Sequence, residues 1–208
     1  MSKLTITSLI YRHLGPFDLT IEAGETVSLS GSSGAGKSLL LRALADIDPH
    51  DGEVCLNGQS CQSFPAPEWR RQVALLPAES QWWHDTVGEH FQGSLAPEIW
   101  ASLGFEGQVK SWSITRLSSG EKQRLAILRL LQNNPKVLLL DEPTANLDPE
   151  NSQRVENLFL NYQREQGAAI LWITHSVEQG RRLGRRHYQL ENGRLELLSQ
   201  PRLFASAS

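Results

Sequence analysis

Residues 31–38 read Gly31-Ser32-Ser33-Gly34-Ala35-Gly36-Lys37-Ser38, which fits the phosphate-loop pattern G-x-x-x-x-G-K-[ST]. The alternating apolar run at 26–30 predicts a strand before this loop, and the leucine-rich run at 39–45 predicts a helix after it. Glycines let several backbone N–H groups turn toward one point, and the helix N-terminus adds partial positive charge. We therefore expect Lys37 to reach the terminal phosphates of a nucleotide and the Ser38 hydroxyl to ligate Mg²⁺. A glycine-rich turn before an ordinary helix is the disfavoured alternative, because a strand and a helix both flank the motif.

Size and composition indicate one soluble globular domain. The chain has 208 residues, of which 39% are hydrophobic and 21% charged, so it can bury a full core. The formal net charge of −3 gives no sign of a nucleic-acid partner. No apolar run approaches the ~18 residues of a membrane span, and the N-terminus lacks a signal-peptide apolar region. The two cysteines, Cys55 and Cys61, form neither a zinc set nor a disulfide framework, which favours a reducing cytosol.

The order of elements predicts an α/β fold with a mainly parallel core sheet. Residues 4–11 and 17–21 resemble two strands of an N-terminal antiparallel β layer. The unbroken apolar runs at 137–140 and 168–173 are typical of strands that are buried on both faces. Between them, residues 149–166 predict a long polar helix that starts with proline and ends at a glycine. Strands that alternate with helices favour a parallel sheet.

A small helical subdomain is predicted at about residues 78–132, within a single domain of residues 1–208. Large apolar residues are spread there among glycine, proline and serine: Trp82, Trp83, Phe91, Ile99, Trp100, Leu103, Phe105 and Trp112. Clustered tryptophans favour a core, but a partner-facing role for Trp82 and Trp83 stays open. Ser118 and Glu121 fit a capping box that opens the next helix.

Acidic residues follow one predicted buried strand, and a histidine follows the next. Asp141 and Glu142 come directly after four apolar residues, at the strand end where ligands of parallel sheets collect. We expect Asp141 to hold Mg²⁺ together with Ser38. Glu142 is placed to orient and deprotonate an attacking water. His175 is a candidate to contact the terminal phosphate or that water, with a purely structural histidine as the alternative.

An aromatic residue precedes the phosphate loop at a position where it could stack on a nucleobase. This residue is Tyr11, and a half-buried strand tyrosine is an equally weighted alternative. His13 is a weaker candidate for the same role.

The motifs occur in an order that resembles the nucleotide-binding subunit of ATP-binding cassette (ABC) transporters. They are the phosphate loop, Leu117–Glu121, 137–142, 146–148 and His175, and the resemblance covers nearly the whole chain. It implies a P-loop NTPase of ABC ATPase type that hydrolyses ATP with Mg²⁺. It also implies Glu142, His175 and Lys37 as catalytic residues. The residues implied to contact ATP are Tyr11, Gly31, Ser32, Ser33, Gly34, Ala35, Gly36, Lys37, Ser38, Leu39, Ser118, Ser119, Gly120 and Asp148.

The resemblance also implies partners. In the family, the signature at Leu117–Glu121 of one subunit closes over ATP held by another, so we expect an ATP-dependent dimer of two copies. An integral membrane permease would be the second partner, with this chain on the cytoplasmic face of the cell membrane. The stretches 85–87, 121–124, 135–142 and 171–175 look most like a small bacterial subunit associated with iron export.

The chain departs from the family pattern at three positions. Ser119 and Glu121 replace the second glycine and the glutamine of the signature, and we expect both to be tolerated. Ala78 aligns with the Q-loop glutamine that couples to the membrane subunit, and Glu79 or Gln81 is a candidate substitute.

The Q-loop departure keeps a second hypothesis open, a nucleotide-gated regulatory or mechanical ATPase that moves no solute. A stand-alone kinase or GTPase is disfavoured by the signature and by the lack of an N-K-x-D motif. A translation or DNA-repair ATPase is disfavoured because there is one cassette and no long coiled coil.

Overall fold

The computed structural model describes residues 2–93 and 95–199. The predicted domain limits, residues 1 and 208, lie outside this part of the chain. The strands are β1 Leu4–Tyr11, β2 Leu14–Ile21, β3 Thr26–Ser30, β4 Asp51–Leu56, β5 Gln59–Ser60, β6 Val73–Leu76, β7 Val137–Asp141, β8 Ala169–Ile173, β9 Arg186–Glu191 and β10 Arg194–Ser199. The α-helices are α1 Lys37–Leu44, α2 Ala66–Gln72, α3 Pro97–Ser102, α4 Ser119–Leu131, α5 Pro149–Gln166 and α6 Val177–Leu183. Short 3₁₀ helices cover Cys61–Ser63, Gly88–His90, Val109–Ser111 and Ile114–Arg116.

A six-stranded sheet forms the centre of the molecule, in the order β10-β9-β3-β8-β7-β6. Every neighbouring pair is parallel except the terminal hairpin of β9 and β10. The predicted α/β fold with a mainly parallel core sheet is confirmed. Because strands β3, β7 and β8 are central and parallel, their carboxyl ends meet at one edge, and this edge carries the phosphate loop.

A second, antiparallel sheet of four strands has the order β2-β1-β4-β5. The predicted N-terminal antiparallel layer is therefore present, and it is larger than the two strands expected. Strand β4 pairs along β1, with Leu4 opposite Leu56 and Ile6 opposite Val54. Residues 53–58 have the pattern of a short strand followed by a turn, but the sequence does not show that the partner of β4 lies about fifty residues earlier.

Two hydrophobic cores lie on opposite faces of the six-stranded sheet. Strand β7 divides its side chains between them: Val137 and Leu139 face the core shared with α1 and the antiparallel sheet, and Leu138 and Leu140 face the core shared with α4 and α5. All five residues of this strand are buried. The unbroken apolar run is explained by this double coverage, since successive side chains point to opposite faces.

The helix limits follow the expected local signals. Ser118 caps α4 in a reciprocal capping box, in which its hydroxyl accepts from the Glu121 N–H and the Glu121 carboxylate accepts from the Ser118 N–H. Helix α5 starts after Asp148 and ends at Gly167, whose φ is 62°. In residues 2–93 and 95–199, no helix is both long and apolar enough to span a membrane.

The region predicted as a helical subdomain consists of α3, three 3₁₀ helices and α4. Trp100, Leu103 and Phe105 are buried in the core that faces α4 and α5. Trp83, in contrast, is 65% exposed. The tryptophans therefore divide between core and surface, and the separate subdomain stays a prediction.

Candidate functional site

The phosphate loop connects β3 to α1, and two of its glycines are required by their surroundings. Gly36 caps α1 with a φ of 98°, and a Cβ there would lie 2.4 Å from Leu14 Cδ1. A Cβ on Gly31 would lie 2.4 Å from the Leu190 carbonyl oxygen. Larger residues cannot take either position without moving backbone or core side chains. The loop therefore stays close to the sheet edge and directs its backbone toward the start of α1.

Lys37 lies inside this loop and is only 6% exposed. Its ammonium group donates to the carbonyl oxygens of Gly31 at 2.8 Å and Ser32 at 2.9 Å. An ammonium has three donors, so these bonds position the charge and still allow one to an anion. Lys37 thus lies within the phosphate loop, and its contact with a nucleotide stays a prediction.

A cavity of about 210 Å³ brings the phosphate loop together with the two candidate catalytic groups. The lining residues are Ser33, Gly34, Gly36, Lys37, Ser38, Leu39, Glu142 and His175. The loop contributes positive charge and backbone N–H groups, and the opposite side contributes a carboxylate and an imidazole. This combination suits a bound triphosphate with a water molecule at its far end.

Glu142 and His175 contact each other directly. His175 Nε2 lies 2.6 Å from Glu142 Oε1, within ion-pair distance. Asp141 pairs in register with Ile173 across β7 and β8, so the residues that follow the two strands emerge side by side. Sequence reasoning placed both groups at the sheet edge but missed this contact, which the order of the strands explains. Glu142 has a φ of 48°, and its N–H donates to the Ile173 carbonyl at 3.2 Å.

Two oxygen donors are suited to a hard cation at this edge. Asp141 ends β7 and is 6% exposed, and the Ser38 hydroxyl lies at the start of α1. Among residues 2–93 and 95–199, no group of three or more His, Cys, Asp or Glu side chains could hold a metal by itself. One or two protein oxygens completed by substrate phosphates and water is the ligand set that Mg²⁺ prefers. The residues present therefore fit Mg²⁺ bound together with a nucleotide.

The prediction that Tyr11 stacks on a nucleobase is corrected by the structure. Its ring is 2% exposed and stacks on Phe17, with ring centroids 5.5 Å apart. Its hydroxyl donates to the Gly36 carbonyl at 3.1 Å, and burial raises the pKa of this phenol. Tyr11 supports the phosphate loop from within the core. His13 is exposed in the turn between β1 and β2.

The other predicted ATP contacts, Ser118, Ser119, Gly120 and Asp148, do not line the cavity of their own chain. A Cβ on Gly120 would contact Leu147 at 3.3 Å, so the start of α4 packs against the segment before α5. Asp148 caps α5, and its carboxylate accepts from both the backbone and side-chain N–H groups of Asn151. These bonds lower the pKa of Asp148.

The loop after β6 is organised by a residue that sequence reasoning did not identify. His90 is 4% exposed; its Nδ1–H donates to the Thr86 carbonyl, and its Nε2 accepts from the backbone N–H groups of Trp83 and His84. No local sequence signal marks it. Exposed residues of this loop include the two candidate Q-loop substitutes, Glu79 and Gln81, and neither lines the cavity.

Comparison with known proteins identifies the family. The model of the ABC transporter family matches residues 14–145. The thiamine import ATP-binding protein ThiQ of Escherichia coli K12 is 34% identical, over 94% of this chain and 90% of that protein. The probable iron export ATP-binding protein FetA of the same organism is 32% identical, over 80% of this chain and 79% of that protein.

Some relatives are longer than this chain. The methionine import ATP-binding protein MetN 2 of Enterococcus faecalis is 33% identical, and the match spans 58% of its length. A bacterial Atm1-family ABC exporter solved with ATP bound shares the fold, with a TM-score of 0.81 and 24% identity, over 94% of this chain and 38% of that one. The chain belongs to the ABC transporter family, among the ATP-binding subunits whose ATPase activity is coupled to transport.

Proposed function

We propose that this chain binds Mg²⁺ and ATP in the cavity of the phosphate loop, hydrolyses the terminal phosphate, and in doing so powers a separate membrane permease from its cytoplasmic side. The observation that carries this proposal is the shared cavity of the phosphate loop, Glu142 and His175. A loop that only held a nucleotide would not need a carboxylate and an imidazole on its far side.

Each group has a role that follows from its position. The loop N–H groups and Lys37 bind the β- and γ-phosphates, and the partial positive charge at the start of α1 stabilises the negative charge of these phosphates. Water attacks the γ-phosphorus, its proton passes to the Glu142 carboxylate, and the bond to the bridging oxygen breaks. His175 orients that carboxylate through their 2.6 Å contact. Mg²⁺, held by Ser38 and Asp141, would offset the charge of the phosphates.

The active form is proposed to be a dimer of two copies with two ATP molecules between them. The start of α4, at Ser118–Gly120, lies outside the cavity of its own chain. Helix N-termini attract phosphate, and this one is exposed at Ser118 and Ser119. A two-fold dimer would bring it over the γ-phosphate held by the other copy. Hydrolysis would then weaken the dimer by removing the bridging phosphate.

The transported solute is proposed to be a metal ion, in the direction of export and with iron as the candidate. Support comes from the similarity to FetA, which is named for probable iron export. ThiQ and the tungstate uptake protein TupC of Peptoclostridium acidaminophilum match at 34% identity, so solute flux in vesicles that contain the co-purified permease decides between export and import. ATP turnover without any flux would favour the regulatory or mechanical ATPase that Ala78 keeps open.

The test of the hydrolytic site is Glu142→Gln, which keeps the size of the side chain and an oxygen that can face His175 but removes the base. We expect phosphate release to fall by about 10²- to 10⁴-fold while ATP binding is retained, and an ATP-bound dimer to accumulate in sedimentation. Glu165→Gln, an exposed change in the last turn of α5, is the matched control. Native turnover in the Glu142 variant would remove Glu142 from the mechanism. An ATP-saturated chain that stays monomeric in this variant would refute the nucleotide-bridged dimer.

A further inference from the structure

A polar side chain next to the site joins both loops that carry the candidate catalytic groups. Gln179, in the first turns of α6, accepts at Oε1 from the Thr174 hydroxyl at 2.6 Å. Its Nε2 donates to the Thr144 hydroxyl at 3.0 Å and to Glu156 Oε1 at 2.8 Å. All four residues line a depression of about 820 Å³ that also contains Glu142 and His175. The Gln179 amide thus connects three separate elements beside the site.

The direction of this amide is determined by its neighbours. The Glu156 side chain is 2% exposed and accepts two hydrogen bonds from the Arg182 guanidinium, one at each oxygen, so both oxygens act as acceptors. The amide nitrogen of Gln179 must therefore face it. On the other side, the Thr174 hydroxyl already accepts from the Ser176 N–H, so its own hydrogen is directed to Gln179 Oε1. A glutamate at position 179 would put two carboxylates in contact.

The two threonines stand next to the reacting groups. Thr144 comes two residues after Glu142, in a turn where the Ala145 N–H donates to the Glu142 carbonyl at 3.1 Å. Thr174 directly precedes His175, and its N–H donates to the Leu29 carbonyl at 3.1 Å. Gln179 therefore links the segment after β7 to the segment after β8. Both segments must keep their relative position for the 2.6 Å contact of His175 with Glu142 to persist.

We propose that Gln179 is a positioning residue for ATP hydrolysis: its amide holds the Thr144 and Thr174 segments together and thereby sets the distance between His175 and Glu142. This inference rests on the proposed hydrolytic function of Glu142. A role limited to capping α6 does not account for the geometry, because Ser176 already caps this helix through the Gln179 backbone N–H. The side chain of Gln179 is directed away from its own helix, toward β8, α5 and the loop after β7.

The test is Gln179→Glu, which keeps the length of the side chain and replaces the donor by a second carboxylate. We expect kcat to fall by about 10- to 100-fold, because displacement of a catalytic group by about 1 Å has an effect of this size. The dissociation constant for ATP should stay within about threefold of native, because Gln179 does not line the phosphate cavity. Gln166→Glu adds the same charge at the exposed end of α5, outside this depression, and should leave kcat unchanged.

The reciprocal exchange, Gln179→Glu with Glu156→Gln, should recover most of the lost turnover. It restores one amide and one carboxylate to the pair, and the carboxylate at position 179 can accept from both threonine hydroxyls. A variant that loses thermal stability but keeps native kcat at 20 °C would overturn the positioning role. Failure of the exchange to improve on the single variant would also overturn it.

Amide hydrogen exchange by mass spectrometry separates this proposal from the proposed function. Gln179→Glu should increase exchange in residues 143–147 and in residues 174–176 together, with or without turnover. An increase confined to residues 177–183 would overturn the proposed link even if the native chain hydrolyses ATP. A native chain without turnover would overturn the hydrolytic function, and the exchange result would still decide whether Gln179 connects the two segments.

Discussion

Replacing Tyr11 by phenylalanine tests whether this residue supports the phosphate loop or contacts a base. The change removes one buried hydrogen bond, from the phenol to the Gly36 carbonyl, and retains the stack on Phe17. The Gly36 carbonyl still accepts from the Leu40 N–H at 2.9 Å, so no buried acceptor loses its last partner. We expect a loss of about 1 kcal/mol in the free energy of unfolding, the usual net value of one such bond. For a chain of this size the melting temperature should fall by about 2–4 °C.

The assay is urea unfolding at constant m-value, with Tyr162→Phe as the matched control. Tyr162 also donates to a backbone carbonyl, that of Pro135 at 2.8 Å, and burial raises its pKa as well. Both variants should lose similar stability. A second variant, Tyr11→Leu, removes the aromatic face. It should leave the ratio of affinities for ATP and inorganic triphosphate unchanged, because the ring lies in the core. Native stability in Tyr11→Phe, together with a reduced preference for ATP in Tyr11→Leu, would refute this reasoning.

Two further predictions concern the loop lysine and the cap of α5. Lys37→Ala should weaken ATP binding by at least about tenfold in titration calorimetry, because a charge-assisted hydrogen bond contributes about 1.5–3 kcal/mol. An unaltered affinity for ATP would contradict the phosphate-loop assignment. Asp148→Ala should lower the melting temperature at pH 7. Hydrogen bonds from Asn151 lower the pKa of Asp148 in the folded chain below its ordinary value of 3.8. The ionised cap therefore stabilises the folded chain fully when the pH is above 3.8, and this stabilisation is lost as the pH falls through the folded-state pKa. The melting temperatures of native and variant should therefore converge in acid, and a constant difference down to pH 2 would exclude the ionised cap as the cause.

Much of the fold follows from signals that act over a few residues. The phosphate loop, the capping box at Ser118 and the glycine end of α5 depend on local backbone geometry, and each appears where the sequence predicts it. Strand β7 is similar, because four consecutive leucine and valine residues must be covered on both faces. The position of Asp141 and Glu142 at the sheet edge could be predicted because it depends only on the presence of strand β7 and on its direction.

The features that could not be predicted from the sequence are those that depend on which part of the chain packs over a given side chain. Tyr11 lies on a strand whose alternating apolar and polar residues predict two different faces. This alternation does not predict that Tyr11 packs against Phe17 and the loop at Gly36. The same limit applies to β4, whose pairing with β1 spans about fifty residues. His90 is the clearest example of a residue that the sequence does not mark. Its two backbone donors and its acceptor come together only when the loop folds around the imidazole ring.

The polar residues of α5 and α6 show why a sequence motif and a positioned site are different things. Helix α5 has a strongly polar sequence, and yet Glu156 within it is 2% exposed. A carboxylate can be buried there only because Arg182, in the next helix, neutralises it, and its remaining acceptor capacity then orients the Gln179 amide. A polar residue in a polar helix carries no signal that it is buried. The motif residues can therefore be recognised from the sequence by their chemistry. The groups that hold them in place can be recognised only when their partners are known, and for Glu156 that partner is Arg182, 26 residues further along the chain.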